Sequence, residues 1–348
     1  MRTWRLLLAA AAISGCGAPD DGARAGRGAT LPDSHDTDKF EFGRVIMGSP
    51  VRIVFYAKDT ASAEAAAEAS FAVIAEVDAA MSDYKTDSEL SRLNAAAGGE
   101  PRPVSPPLFD VLETARRLSE SSEGAFDVTV GPVVLLWRRA RTNGTPPDPA
   151  ALKAAAALVG YRGLILDRGN RTARLARPGM KIDLGGIAKG YAADRALAAL
   201  RARGFSRAFV ACAGDIALGD PPPGKPGWRV SIAGDRTKVV VAARCGVSTS
   251  GDAEQYLEVD GRRYSHIIDP RTGVGTEHIA LATVVAPDDT TADALATALV
   301  VMGPESGIEL IRSMTGVEAR IVWREGEKLC ERQSEGMQKL MEKAGRRQ

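Results

Sequence analysis

Apolar residues recur at three- and four-residue spacing through residues 61–80, where Phe71, Ile74 and Val77 share one stripe of an Ala-rich run. That period predicts a helix. Residues 106–121 predict another. A third starts at Asp148 and Pro149, an N-capping acid and a residue suited to the first helical turn, ahead of ALKAAAALVG. Elsewhere the period falls to two. EFGRVIMGSPVRIVFYA predicts two strands meeting near Met47 and Gly48, and AEQYLEVDGRRYSHII a hairpin turning at Asp260 and Gly261. LATVVA reads as a buried strand, DDTTADALATALVVMG as a helix, and ARIVWREGEKLCERQ as a last hairpin before a basic helical tail. MSDYKTDSELSRLN is a polar turn entering a short helix. SEGAFDVTVGPVVLLW is a loop and then an apolar segment ending at Trp137, followed by a surface loop, RARTNGTPPDPA. Further strands are expected around 163–184, near 207–211 and near 228–233. Hairpins recur and there is no steady β-α-β alternation. The expected fold is therefore α+β, a single large domain on a mostly antiparallel sheet with packed helices.

KIDLGGIAKGYAADRAL, from Lys181, departs from plain patterning. It reads as a short strand, a glycine turn and a helix ending near Gly204. A helix N-terminus offers unpaired N–H groups and partial positive charge, and glycines let an anion approach the backbone. Lys189 adds a full charge. Gly190 inside the helix costs about 1 kcal/mol relative to Ala, so something should offset it. Two readings stand: a phosphate resting on the turn, or a tight connection with Gly190 packed against a neighbouring backbone. In the late helix Asp293 and Thr297 are four apart and share a face. They offer two hard oxygen ligands for Mg²⁺, or Asp293 closes a capping box opened by Thr290. His266 is the only histidine in a predicted strand, able to hold charge or move a proton, or simply a cross-strand surface residue. Tyr84 and Phe126 either stack on a planar ring or anchor their loops. Asp127 and Asp183 either accept hydrogen bonds from a ligand or cap turns.

Composition narrows the partners. The 348 residues carry a formal charge of +1, which gives no field directed at nucleic acid. Arg2 and Arg5 precede an apolar run, Leu6 to Ile13, too short to span a bilayer, and ISGC ends at Cys16. This segment resembles a bacterial lipobox, which makes residues 1–16 a lipoprotein signal with Cys16 the lipidated residue. Residues 17–39 lack apolar periodicity and read as a flexible tether. Among Cys212, Cys245 and Cys330 at most one disulfide can form, and no spacing indicates zinc.

Six segments in order, MGSPVRI, MSDYKTDSELSRLN, SEGAFDVTVGPVVLLW, KIDLGGIAKGYAAD, STSGDAEQYLEVDGRRYSHIIDPRTG and ADALATALVVMG, resemble the ApbE family of FAD:protein FMN transferases. The resemblance implies an ApbE-like, T-fold-like domain over residues 40–335, with a basic tail at 336–348. It implies FAD as substrate, Mg²⁺ as cofactor, and transfer of FMN to a Thr or Ser hydroxyl of an exported acceptor protein, with AMP leaving. FAD pyrophosphatase activity, or FAD binding without chemistry, are the alternatives. Carried over by motif, Met47, Tyr84, Ala125, Phe126, Asp127, Asp183, Lys189 and Ile267 would line the FAD site. Asp293, Thr297 and the Gly186 carbonyl would hold Mg²⁺. His266 would be the base, with Asp269 or Asp252 near it, and Lys189 would assist. The implied location is a bacterial membrane, through a lipid anchor facing the periplasm. One departure stands out: Ala213 precedes Gly214 where the family often carries two glycines.

Overall fold

In the computed structural model, residues 37–343 are described, apart from 233, 234, 252–255, 260, 261, 278 and 327. Cys16, the signal segment, the Asp260-Gly261 turn and Asp252 lie outside the described residues. The centre is an eight-stranded sheet whose spatial order follows the chain: Asp38–Ile46, Ser49–Ala57, Ala208–Cys212, Asp215–Leu218, Cys245–Gly251, Ile279–Ala286, Glu318–Glu325 and Lys328–Gln333. Every neighbouring pair is antiparallel. Long excursions between the second and third strands, and between the sixth and seventh, carry the packed helices, and the one between the fifth and sixth carries the His266 segment.

Period-two burial gives the sheet two dry faces. Ile53, Phe55, Val210, Cys212, Ala217, Ala282 and Val284 belong to a large core shared with helices Thr60–Met81, Pro106–Ser121, Ala188–Ala202 and Asp289–Met302. Val54, Phe209, Ala211, Ile216, Leu218 and Val285 point the other way. They meet Trp228, Val230 and Val240 of a small sheet and Met337 of helix Glu335–Leu340. The segment expected as a basic tail thus begins as a helix and continues as a strand, Met341–Lys343, paired with Asp235–Ala242. The molecule is a single α+β domain with a mainly antiparallel sheet. No helix of the described residues is long and apolar enough to cross a membrane.

Several sequence expectations change. The helix beginning at Gly131 does not end at Trp137; it runs to Asn143 and stops at Gly144, in the left-handed region with φ 71°. Most of the expected RARTNG loop is therefore helix. Apolar periodicity could not reveal this, because the arginines occupy its outer faces. KIDL forms no strand beyond one bridge between Val130 and Lys181. Strands Asp215–Leu218 and Cys245–Gly251, absent from the pattern reading, are central to the sheet. Cys212, Cys245 and Cys330 are all free thiols.

Candidate functional site

Helices Ala188–Ala202 and Asp289–Met302 pack closely where Gly190 meets the start of the late helix. A Cβ at Gly190 would fall 2.9 Å from Asp293 Cβ and collide with the Asp289 carbonyl. The Gly190 N–H instead donates to Asp293 Oδ2 at 3.1 Å. Helix packing therefore accounts for Gly190, and no bound phosphate is needed to explain it. The capping reading of Asp293 also falls. The cap is Asp288, which accepts from Thr291 N at 2.7 Å, and Asp194 of the neighbouring helix accepts from Asp289 N and Thr290 N. Asp293 lies one turn further in and is left for another task.

A charged seam runs between these helices and the sheet. Lys189 Nζ pairs with Asp215 Oδ2, while Asp215 Oδ1 accepts from Ser248 Oγ at 2.6 Å. Burial disfavours the lysine charge, but Asp215, Asp293 and Asp289 outweigh it and hold the Lys189 pKa above its usual value. Burial, helped by the negative charge of Asp215, pushes the Asp293 carboxyl up to about 7 against the pull of Lys189 and the Gly190 N–H. Asp289 is completely buried with neither carboxylate oxygen hydrogen-bonded. Burial first, then the charges of Asp215, Asp194 and Asp293, raise its pKa well above the carboxylate range. Pattern reading missed Asp215 because its strand was not anticipated.

Between Asp289 and Val300 of the late helix, Thr297 alone is not buried. Its Oγ1 lies 3.3 Å from Ser250 Oγ. A Cβ at Gly186 would stand 3.0 Å from that oxygen and 3.5 Å from the Phe126 ring, so a side chain here would crowd the Thr297 hydroxyl. Asp293, Thr297 and the Gly186 backbone thus converge from two segments, and the cradle is one a methyl group would fill. Among the described residues no group of three or more His, Cys, Asp or Glu is set to hold a metal. A carboxylate, a hydroxyl and a carbonyl form the sparse oxygen set that Mg²⁺ accepts when substrate phosphates complete its shell. The residues present fit the ion.

The rim has a different construction. Arg138 pairs through Nη1 with Asp83 and through Nη2 with Asp183 Oδ2 at 2.6 Å. Its guanidinium carbon sits 4.5 Å from the centre of the Tyr84 ring, which is 78% exposed. Asp183 Oδ1 also accepts from Gly185 N at 2.8 Å, shaping the glycine turn. Asp127 is spent on local structure: Oδ1 accepts from Thr129 N and Oγ1, and Oδ2 from Tyr161 N. It caps turns, so its reach to a ligand is indirect. Buried Phe126 follows Ala125, also buried, on the same loop.

Met47 and Gly48 form a two-residue turn with φ 56° and φ 66° between strands paired from Ile46 and Ser49. Both residues sit in the left-handed region, which a two-residue hairpin demands and a methionine resists. The Ala213-Gly214 turn lies beside it, tied by Ala213 N to Pro50 O at 2.9 Å. Ala213 takes φ 57° and is exposed, so its departure from glycine acts through backbone strain. Ile267 is buried in the main core with Phe126 and Ile187. His266 is half-buried and sits just after strand Arg262–Ser265, in a bend rather than in the expected strand. Backbone bonds from Ser265 N to Thr276 O, and from Thr276 N to Ile267 O, fix its two neighbours. Asp269 is engaged by its own turn, pairing with Arg271 at 2.9 Å.

Residues 47–321 match the model of the ApbE family. The FAD:protein FMN transferase of Treponema pallidum (strain Nichols) is 36% identical over 306 residues, covering 82% of this chain and 84% of that protein. The protein of the same description from Klebsiella pneumoniae (strain 342) is 35% identical over 334 residues, 92% of each chain. The apo crystal structure of Pseudomonas stutzeri flavinyl transferase ApbE superposes with a TM-score of 0.79 at 32% identity, covering 88% of this chain and 98% of that one. An α+β domain on a mainly antiparallel sheet is the architecture that superposes. The chain belongs to the ApbE family.

Proposed function

We propose that the protein is a Mg²⁺-dependent transferase that moves FMN from FAD to a Thr or Ser hydroxyl of an exported acceptor protein, releasing AMP. The observation that carries this reading is the convergence of Asp293 and Thr297 on the Gly186–Gly190 turn across a helix contact that only glycines allow. The names of the relatives support the substrate and the reaction class.

Asp293, Thr297 and the Gly186 carbonyl are the groups to hold the metal. When bound, Mg²⁺ supplies charge neutralisation on the diphosphate and on the departing phosphate of AMP. Lys189, kept cationic by its buried acid partners, adds fixed positive potential and is no base at neutral pH. The acceptor oxygen bonds to the FMN phosphorus as the bond to the AMP oxygen breaks. The hydroxyl proton leaves to a base, and His266 is the side chain suited to take it. Tyr84 presents an exposed ring for the flavin or adenine, with Asp183 an acceptor beside it, and buried Phe126 anchors its loop behind the glycine turn.

We place the chain outside the cytoplasm, lipid-anchored through Cys16. Cys16→Ser should move it from the membrane to the soluble fraction, and retention at the membrane would remove the anchor. Purified protein incubated with FAD, Mg²⁺ and a co-expressed acceptor should yield AMP and an acceptor mass increased by one FMN phosphoester. AMP and free FMN formed equally fast without acceptor would make it a pyrophosphatase. Tight FAD binding with no AMP under any condition would make it a carrier.

A further inference from the structure

The mechanism above gives Arg138 no role, yet this side chain stands at the centre of the rim. Its two terminal nitrogens reach Asp83, on the loop after helix Thr60–Met81, and Asp183, on the glycine turn. Its plane lies over the Tyr84 ring. Its own helix, Gly131–Asn143, is anchored from behind. Trp137 Nε1 donates to Gly273 O at 2.8 Å, and Trp137, Val133 and Ala140 form a separate apolar cluster with Leu257 and Ile268. One planar cation therefore ties a loop and a turn to a helix anchored on its other face. A guanidinium can donate in its plane to two carboxylates while its face stacks on a ring; an ammonium cannot do both. Tyr84 is left with one ring face covered and the rest of a 78% exposed side chain open.

We propose that Arg138 is a positioning residue for the flavin nucleotide, holding Tyr84 as a stacking platform and setting Asp183 beside it. This rests on the FAD reading above. The order of events is simple. The clamp orders the Tyr84 loop before the nucleotide arrives, so docking needs less ordering and affinity rises.

The test compares FMN transfer by the full chain and by Arg138→Ala, Arg138→Lys, Tyr84→Ala and the Arg138→Ala/Tyr84→Ala double variant, each checked for an unchanged melting temperature. Arg138→Ala should raise KM for FAD about tenfold with kcat within about twofold, the pattern of lost ground-state binding. Arg138→Lys should recover only part of the loss. Because Arg138 acts in part through Tyr84, the double variant should lose clearly less than the sum of the two single losses. A wild-type KM in Arg138→Ala, or additive losses in the double variant, overturns the proposal. Should Arg138→Ala fail to fold, Asp83→Asn loosens only the loop side of the clamp. It should raise KM for FAD by a smaller factor, and an unchanged KM would overturn the proposal equally. Failure of the transferase reading looks different: the unmodified chain would neither bind nor turn over FAD, and the clamp would fall with it.

Discussion

Asp215 meets Lys189 with 3% of the acid side chain and 29% of the lysine exposed, inside a seam between two helices and the sheet. Asp83 and Asp183 meet Arg138 at 11% and 10% exposure, but on a loop and a turn at the edge of the site, beneath an exposed ring. Both regions neutralise acids with one cation. In the seam, more carboxylates than cations are packed together, and Asp289 and Asp293 respond by holding protons more tightly. At the rim, one cation serves two acids and a ring. The seam presets charge, and the rim presets shape. A substitution in the first should change stability or chemistry, and one in the second should strike substrate affinity.

Asp215→Ala should be the most damaging test of that division. It leaves a largely buried lysine without its partner and Ser248 without its acceptor, a loss of about 3 kcal/mol in denaturant unfolding. A change under 1 kcal/mol would mean the seam is not electrostatically tight. Next in size, Asp293→Ala should cut transfer by roughly 10²–10³-fold, the scale for one preorganised electrostatic group, with the melting curve little changed. Transfer at the unmodified rate would withdraw Asp293 from the metal.

Protons should divide the two regions as well. If Asp293 ligates Mg²⁺ as proposed, the ion must displace the proton that this carboxyl holds below about 7. Apparent Mg²⁺ affinity should therefore weaken by about tenfold per pH unit as pH falls below that point and level off above it, as for one proton displaced per ion. A flat profile from pH 5 to 8 would remove the coupling. The same raised carboxyl has a stability consequence of opposite direction. An acid whose folded pKa lies above its unfolded value contributes stability that is complete below the unfolded pKa and is lost as pH rises through the folded one. Asp289, raised further than an ordinary carboxylate by burial, follows this rule. Asp289→Asn should thus raise the melting temperature more at pH 8 than at pH 4, and an equal shift at both would show that the carboxyl is not held protonated. The smallest effect belongs to neither region. Ala213→Gly relieves a non-glycine residue at φ 57° and should stabilise the protein by about 1 kcal/mol.

Legibility in the sequence followed how local each signal was. Helix Pro106–Ser121, the Asp148 cap and the paired strands around Met47-Gly48 were readable because a few adjacent residues decide them. The Asp293-Thr297 face was readable from a four-residue spacing, although Thr290 offered a false cap. Asp215 was not, since it acts on Lys189 across 26 positions in sequence. Arg138 was hidden twice over: it lies off the apolar stripe of Val133, Trp137 and Ala140, and its partners are 55 and 45 positions away.

Side-chain order along the chain by itself determined the α+β class, the hairpins, the glycine turn and the family to which they belong. Tertiary structure alone decided what each polar group is for. It gave Gly190 to a helix contact, Asp127 to its own loop, Asp288 to the cap and Asp293 to the Gly190 N–H. Period and propensity act over a turn or two of backbone. A buried charge, by contrast, takes its state from whatever distant segments the fold brings within a few ångströms.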